Sequence, residues 1–296
     1  MPHTFLEYEQ PLYRPPSEAN NLILQITVGC RFNQCSFCSM YKAKQYRLKS
    51  LDEIKHDIKL ARLHNADAGR IFLADGDAFN LKFEQLIEIL SLLQEAFPKL
   101  TRVSCYATPA NIASKSMTEL EQLKLNKLSL LYVGIETGDN LLLKKITKGA
   151  TQSSIIKSLK LADSASIKVS ATIILGLGGQ AYWQKHIIET VKLLNQAPVT
   201  YLSTLQLYLD ETGKDEFYEK FNEPFIHQDE ESILTELSEL IAQLDPPKKL
   251  IFRSNHASNA LALAGNLPKD RDHLLSKINA VMGNMNKLTP DYLRSL

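Results

Sequence analysis

Cysteine is scarce in this sequence, with four in 296 residues. That excludes a disulfide-stapled secreted scaffold, which is shorter and far denser in cysteine. Long apolar runs are missing too: none reaches the roughly 18 residues that a membrane span needs. The start, Met1-Pro2-His3-Thr4-Phe5-Leu6-Glu7-Tyr8, lacks the basic-then-apolar pattern of a signal peptide. The expectation is a cytoplasmic protein with no membrane partner. Charge of one sign is also lacking. The 34 Lys and Arg stand against 33 Asp and Glu, a net charge of +1, which disfavours a strongly basic nucleic-acid binder. No repeat, low-complexity tract or obvious linker interrupts the chain. At 44% hydrophobic and 23% charged residues, the composition is that of an ordinary globular protein able to bury a core.

The four cysteines are unevenly placed. Cys30, Cys35 and Cys38 fall within nine consecutive residues, and Cys105 stands apart. In a reducing compartment, clustered thiols point to metal or redox chemistry.

Around this cluster the chain alternates strands with helices. The first twenty residues, with Pro11, Pro15 and Pro16, read as an extended arm. Leu22–Thr27 is a strand-like run ending at Gly29. Ser50 and Glu53 form a capping box ahead of a helical stripe of Leu51, Ile54, Ile58 and Ala61. Strands are predicted at 70–74, 102–106, 128–135, 169–175 and 200–207. Helices are predicted at about 82–96, 115–124, around Ile155–Ala162, and 183–195. Six strand–helix units with short links argue for a parallel β/α architecture. The runs Leu128–Leu131 and Ile173–Leu175, apolar without alternation, suit strands buried on both faces. After about residue 210 the rhythm breaks into a mostly helical tail, with one strand at Leu250–Phe252.

In β/α barrels the active site gathers at the C-terminal ends of the strands. Polar and Gly-rich clusters stand just there: the three cysteines after the first strand, Asp75-Gly76-Asp77 after the second, Thr108-Pro109-Ala110-Asn111 after the third, Gly134-Ile135-Glu136-Thr137-Gly138 closing the fourth, and Gly176-Leu177-Gly178-Gly179 closing the fifth. Each alone is weak, since Gly and Asp also make turns; their shared placement is the stronger argument.

The loop Cys30-Arg31-Phe32-Asn33-Gln34-Cys35-Ser36-Phe37-Cys38 carries three thiols at a density that suits a cubane iron–sulfur cluster. Such clusters usually take four protein ligands. Either Cys105 is the fourth, or one iron stays open to another ligand. Spacing alone also leaves open a zinc knot completed by a His or Asp, or unligated thiols.

Thr27-Val28-Gly29-Cys30 through Cys35-Ser36-Phe37-Cys38 resembles the cluster loop of radical S-adenosylmethionine (SAM) enzymes. The common spacing there is C-x3-C-x2-C; here it is C-x4-C-x2-C, as in some branches. Phe37 before the last cysteine, the Gly-rich ends of the second and fifth strands, and Gly134–Gly138 also match. The likeness spans roughly residues 20–210. It is greatest to the branch of elongator-type, methylthiotransferase-type and coproporphyrinogen-oxidase-like domains.

What the resemblance implies is an α/β fold: a partial (β/α)6 barrel over residues 21–210. The arm at 1–20 precedes it, and a mostly helical extension at 211–296 closes it. Cys30, Cys35 and Cys38 would bind a 4Fe–4S cluster whose fourth iron is chelated by SAM. Reductive cleavage of SAM would give a 5′-deoxyadenosyl radical that abstracts hydrogen from a small or medium substrate. Asp75, Gly76 and Asp77 fall where the family holds the SAM amino group, and Glu136 where it grips the ribose. Lys148 would meet the SAM carboxylate, and Gly176 and Gly178 would let backbone approach the adenine. Tyr106 stands where some relatives place a ribose-binding Glu. Tyr41, Arg253, Asn255 and His256 are substrate candidates. His186 could join them but reads more readily as a surface residue, and Arg14, Ser17 and Glu18 could fold over the mouth. With one cysteine beyond the triad, relatives that use auxiliary clusters are disfavoured. A flavodoxin or ferredoxin is the expected electron donor. No residue is singled out as acting on the substrate chemically. Two other readings stand beside this one: a zinc-binding regulatory module, and an electron-transfer protein whose cluster uses Cys105.

Overall fold

A computed structural model describes residues 6–211, 213–290 and 294. In chain order the elements are β1 (Leu22–Gln25), β2 (Thr27–Val28), β3 (Arg47–Leu48), α1 (Leu51–Asn65), β4 (Arg70–Ala74), α2 (Phe83–Ala96), β5 (Arg102–Tyr106), α3 (Pro109–Ala113), α4 (Met117–Leu125), β6 (Leu128–Glu136), α5 (Asn140–Lys145), α6 (Gln152–Ser164), β7 (Lys168–Leu175), α7 (Gly179–Leu194), β8 (Tyr201–Gln206), α8 (Lys214–Phe221), α9 (Glu230–Gln243), β9 (Leu250–Ser254), β10 (Leu263–Leu267) and α10 (Arg271–Met282). The strands form a mostly parallel eight-stranded sheet, beside which β2 and β3 make a separate antiparallel pair. Among the described residues no helix is long and apolar enough to cross a membrane.

The chain divides into two compact units. The first takes the chain up to Asn33, Met40–Val133 and Leu161–Lys168; the second takes Gln34–Ser39, Gly134–Lys160 and the chain from Val169 onward.

In the first unit the strand order is β1-β4-β5-β6, all parallel. Its core is the pair of buried strand centres Ile71–Leu73 and Val103–Cys105 with Leu86, Leu90 and Leu93 of α2. The predicted capping box is present: Ser50 Oγ accepts from the Glu53 amide at 3.2 Å, and Glu53 accepts from the Ser50 amide at 2.6 Å. Such a cap is worth about 1 kcal/mol. It starts α1 with Ile54, Ile58 and Ala61 facing inward.

Residues 6–15 of the arm carry no helix or strand. Pro16–Glu18 makes a 3₁₀ turn that buries Glu18 completely. Its carboxylate accepts from Arg102 at 2.8 Å, Ser104 Oγ at 3.0 Å and Tyr132 OH at 2.6 Å. A buried carboxylate needs such partners to offset its lost hydration. Arg102 opens β5, so Glu18 binds at the start of that strand and not at its C-terminal end.

In the second unit the order is β7-β8-β9-β10, with β7-β8-β9 parallel and β9-β10 an antiparallel hairpin. The expected helical tail is there as α8, α9 and α10. The hairpin strand β10 is a departure. Its Leu263-Ala264-Gly265-Asn266-Leu267 alternates buried and exposed, but Gly and Asn are poor strand formers and hide the period.

Candidate functional site

In the first unit the candidate residues gather around Cys30. Gly29 precedes it in a left-handed conformation (φ 69°) that favours glycine. Its amide donates to Asp75 Oδ2 at 3.2 Å. The same oxygen receives Lys44 Nζ at 2.6 Å and Gln25 Nε2 at 3.3 Å, while the Asp75 amide donates to Thr27 Oγ1 at 3.1 Å. Asp75 is fully buried and Lys44 nearly so. The Lys44 ammonium also donates to the Glu9 carbonyl at 2.7 Å.

Asp77, also buried, accepts from the backbone amide of Arg31. Burial raises its pKa to about 6, against the pull of the Arg31 amide and charge and of Lys115. The two aspartates of Asp75-Gly76-Asp77 therefore hold the amides on either side of Cys30. Each keeps one buried oxygen, Oδ1, that has no hydrogen-bond partner among the described residues. Gly76 between them leaves room for the Tyr41 ring: a Cβ there would stand 2.5 Å from Cε2. Tyr41 is thus packed inside this unit, edge-on to Tyr13 at 5.5 Å between centroids. Cys105, on β5, is fully buried, and burial pushes its thiol pKa well above the ordinary range. Tyr106 packs edge-on against Phe72.

In the second unit, Cys35 and Cys38 are half-buried, and the Cys38 amide donates to the Cys35 carbonyl at 3.3 Å. Between them the Ser36 amide donates to the Ile146 carbonyl at 3.0 Å. Phe37 packs on a core of Leu142, Ile146, Ile174, Leu177, Phe217 and Phe221. Lys148 lies 5.9 Å from the Phe37 ring centroid and 2.7 Å from Glu136 Oε1. Burial alone would lower its pKa; the Glu136 carboxylate and the sulfurs of Cys35 and Cys38 outweigh that and keep the ammonium charged. Glu136 ends β6 in the left-handed region (φ 64°), uncommon for a residue with a side chain and found where a site is shaped.

Of the glycines after β7, Gly176 has φ 78° and its amide donates to Glu236 Oε2 at 2.8 Å. A Cβ on it would stand 2.8 Å from Ile233 Cδ1. Gly178 is the N-cap of α7. Arg253, half-buried on β9, donates to the carbonyls of Phe252 at 2.7 Å and Gly265 at 3.5 Å. Asn255 is exposed. His256 Nδ1 lies 2.9 Å from Ser258 Oγ, and burial lowers its pKa.

His186 is not at the surface, as its sequence context suggested, but completely buried on α7. Burial lowers its pKa to about 4, against the pull of the Ile174 carbonyl. Glu236 on α9 is equally buried, and its pKa rises to about 8. Sequence reading passed over Thr190 and Glu236, and named Thr137 only within the Gly134–Gly138 turn. The available signal was on α7, where His186 and Thr190 share a helical stripe with Ile187, Val191 and Leu194.

Among the described residues no three Cys, His, Asp or Glu side chains stand grouped as a finished metal cage. The fold presents instead a thiol-bearing loop. Its donors fit an iron–sulfur cluster chemically: three soft sulfurs on one short segment, two of them beside a fixed, half-buried cation.

Comparison with known proteins bears on the same residues. A Bacillus subtilis protein, the heme chaperone HemW, is 23% identical over 216 residues, covering 70% of this chain and 55% of that protein. A Methanocaldococcus jannaschii protein named as a methylthiotransferase is 23% identical over 160 residues, covering 52% of this chain and 35% of that one. The chain thus spans little more than half, or less, of these curated relatives. Among solved structures, the coproporphyrinogen III oxidase HemN of Escherichia coli, described as a radical SAM enzyme, aligns with a TM-score of 0.56 at 18% identity, over 75% of this chain and 51% of that one. That likeness is one of fold. The family profile of the Radical SAM superfamily matches residues 24–194, more than half of the sequence and the stretch that carries the cysteine loop, Glu136, Lys148 and both glycine turns. This chain belongs to the Radical SAM superfamily.

Proposed function

We propose that this chain is a radical SAM enzyme in which Cys30, Cys35 and Cys38 hold a 4Fe–4S cluster and SAM completes its coordination. The observation that carries the reading is the cysteine loop itself. It lies within the matched segment, with the amides around Cys30 held by Asp75 and Asp77 and a half-buried Lys148 beside Cys35 and Cys38. When bound, the cluster supplies the electron that cleaves SAM reductively. The protein's own part is binding and orientation. Lys148, charged at neutral pH, offsets the negative charge of the thiolates. Glu136 has one oxygen on Lys148 and a second to accept from a ribose hydroxyl. Asp75 and Asp77 each hold a spare buried acceptor for the amino group of SAM. Hydrogen abstraction from a small or medium substrate, and reduction by a flavodoxin or ferredoxin, follow from this reading.

The test is electron paramagnetic resonance of the anaerobically reconstituted, reduced protein with and without SAM. A 4Fe–4S signal that shifts on adding SAM supports the proposal. Cys35→Ala should lose the signal and the formation of 5′-deoxyadenosine, while Cys105→Ser keeps both. Loss of the cluster in Cys105→Ser would favour the electron-transfer reading, and a colourless protein with about one zinc would favour the zinc module.

The likeness to HemW over 70% of this chain favours a second reading, in which the chain carries heme and does not turn over SAM. Titration with heme, followed by its absorbance, separates the two: tight stoichiometric binding without SAM cleavage would select the carrier.

A further inference from the structure

Two turns of the second unit bear on SAM in the reading above: Glu136-Thr137-Gly138 after β6 and Gly176-Leu177-Gly178 after β7. A buried set of side chains ties them together. His186 Nδ1 lies 2.7 Å from Thr137 Oγ1, and that hydroxyl also accepts from the Asp139 amide at 3.0 Å. One helical turn further along α7, Thr190 Oγ1 accepts from the Gly138 amide at 2.8 Å and donates to the His186 carbonyl. On its other side, His186 Nε2 lies 3.1 Å from the Ile174 carbonyl and 3.2 Å from Glu236 Oε1. Glu236 Oε2 in turn accepts from the Gly176 amide. His186, Thr137, Thr190 and Glu236 are all fully buried.

We infer that Thr137, His186 and Glu236 are positioning residues that set the distance between the Glu136 turn and the Gly176 turn, and so shape the cradle for the adenosine part of SAM. The inference rests on the radical SAM reading. A fully buried polar chain is retained at a cost in desolvation, and this one reaches both turns and no open surface. The imidazole bridges them: one nitrogen faces the turn after β6, the other the end of β7. Glu136 stands one residue from the first anchor and is held in a left-handed conformation that the anchored turn sustains. Gly176 is fixed by its own amide. No member of the chain touches SAM; each acts through the backbone it holds.

The test compares Thr137→Val, which removes the hydroxyl at nearly constant shape, with Thr137→Ser, which keeps it. His186→Leu and the near-isosteric Glu236→Gln complete the set. Each reconstituted protein is assayed for iron content, for SAM affinity by equilibrium dialysis, and for affinity toward free methionine, which lacks the adenosine. Thr137→Val and His186→Leu should weaken SAM about tenfold, as loss of one buried hydrogen bond does. Iron content and methionine affinity should hold, and Thr137→Ser and Glu236→Gln should stay within about twofold of the parent. Unchanged SAM affinity in folded Thr137→Val overturns the inference and leaves the radical SAM reading standing. Equal loss of methionine and SAM affinity also overturns it, since the effect would then not be the adenosine cradle. Should His186→Leu fail to fold, the Thr137 pair decides alone. If the parent protein itself binds no SAM, it is the radical SAM reading that fails.

Discussion

Lys44 Nζ and Asp75 Oδ2 meet at 2.6 Å inside the first unit, both out of reach of water. Lys44 follows Cys38, the last cysteine of the loop, by six residues, and Asp75 comes directly after strand β4. The pair closes the cysteine loop at its foot, because the same carboxylate oxygen also holds the Gly29 amide beside Cys30.

Removing one partner of a buried ion pair leaves the other charge unsolvated. Asp75→Asn or Lys44→Met should therefore lose about 3–5 kcal/mol of stability, read by denaturant unfolding. The double variant Lys44→Met, Asp75→Leu removes both charges and should recover most of it. Iron retention should not recover in parallel, since the Gly29 amide is left unheld. Recovery of stability and iron together would show that the carboxylate has no role beyond the ion pair.

Glu136→Ala should weaken SAM binding by about tenfold or more while leaving iron content near that of the parent. It also strips Lys148 of its carboxylate partner, so Glu136→Gln separates the two effects: it keeps a ribose acceptor and loses the charge. Unchanged SAM affinity in Glu136→Ala would reject the ribose role.

The buried pair His186 and Glu236 gives the protein a pH signature. Glu236 rises from 4.5 to about 8 on folding, so its contribution is complete below pH 4.5 and is lost as pH climbs toward 8. His186 falls from 6.5 to about 4, so its contribution grows as pH climbs from 4 to 6.5. The two slopes oppose each other between pH 4.5 and 6.5. From 6.5 to 8 that of Glu236 dominates among the described groups, Asp77 being already past its midpoint of about 6. Stability should fall by about 2 kcal/mol across that window. Glu236→Gln should flatten the fall; an unchanged slope in that variant would assign it elsewhere.

Much of this was legible in the sequence, and the exceptions share a cause. Local signals worked: the Ser50 and Glu53 box starts α1 where expected, and the strands 70–74 and 102–106 are found to the residue. Long-range pairings had no local signal. Nothing near Asp75 announces Lys44, 31 residues earlier, or the Gly29 amide, 46 residues earlier. An acidic pair beside a glycine read as a ligand loop, and its hold on the amides either side of Cys30 had no signal in the sequence. His186 read as exposed because polar residues are usually outside. Its carboxyl partner, Glu236, comes from another helix fifty residues on. Strand β10 was missed because its Gly265 and Asn266 carry little strand preference.

Several fastenings of the cysteine loop are made without sulfur. Its first part hangs from Asp75 and Asp77, and its second from the Ser36 amide and the buried face of Phe37. Small zinc domains are different, since their ligands are organised by the metal and the chain unravels without it. Here the loop is built by ordinary carboxylates, amides and an aromatic ring. If the loop holds a cluster as proposed, removing the iron should leave these fastenings in place, and the iron-free protein should unfold at nearly the same denaturant concentration as the loaded one.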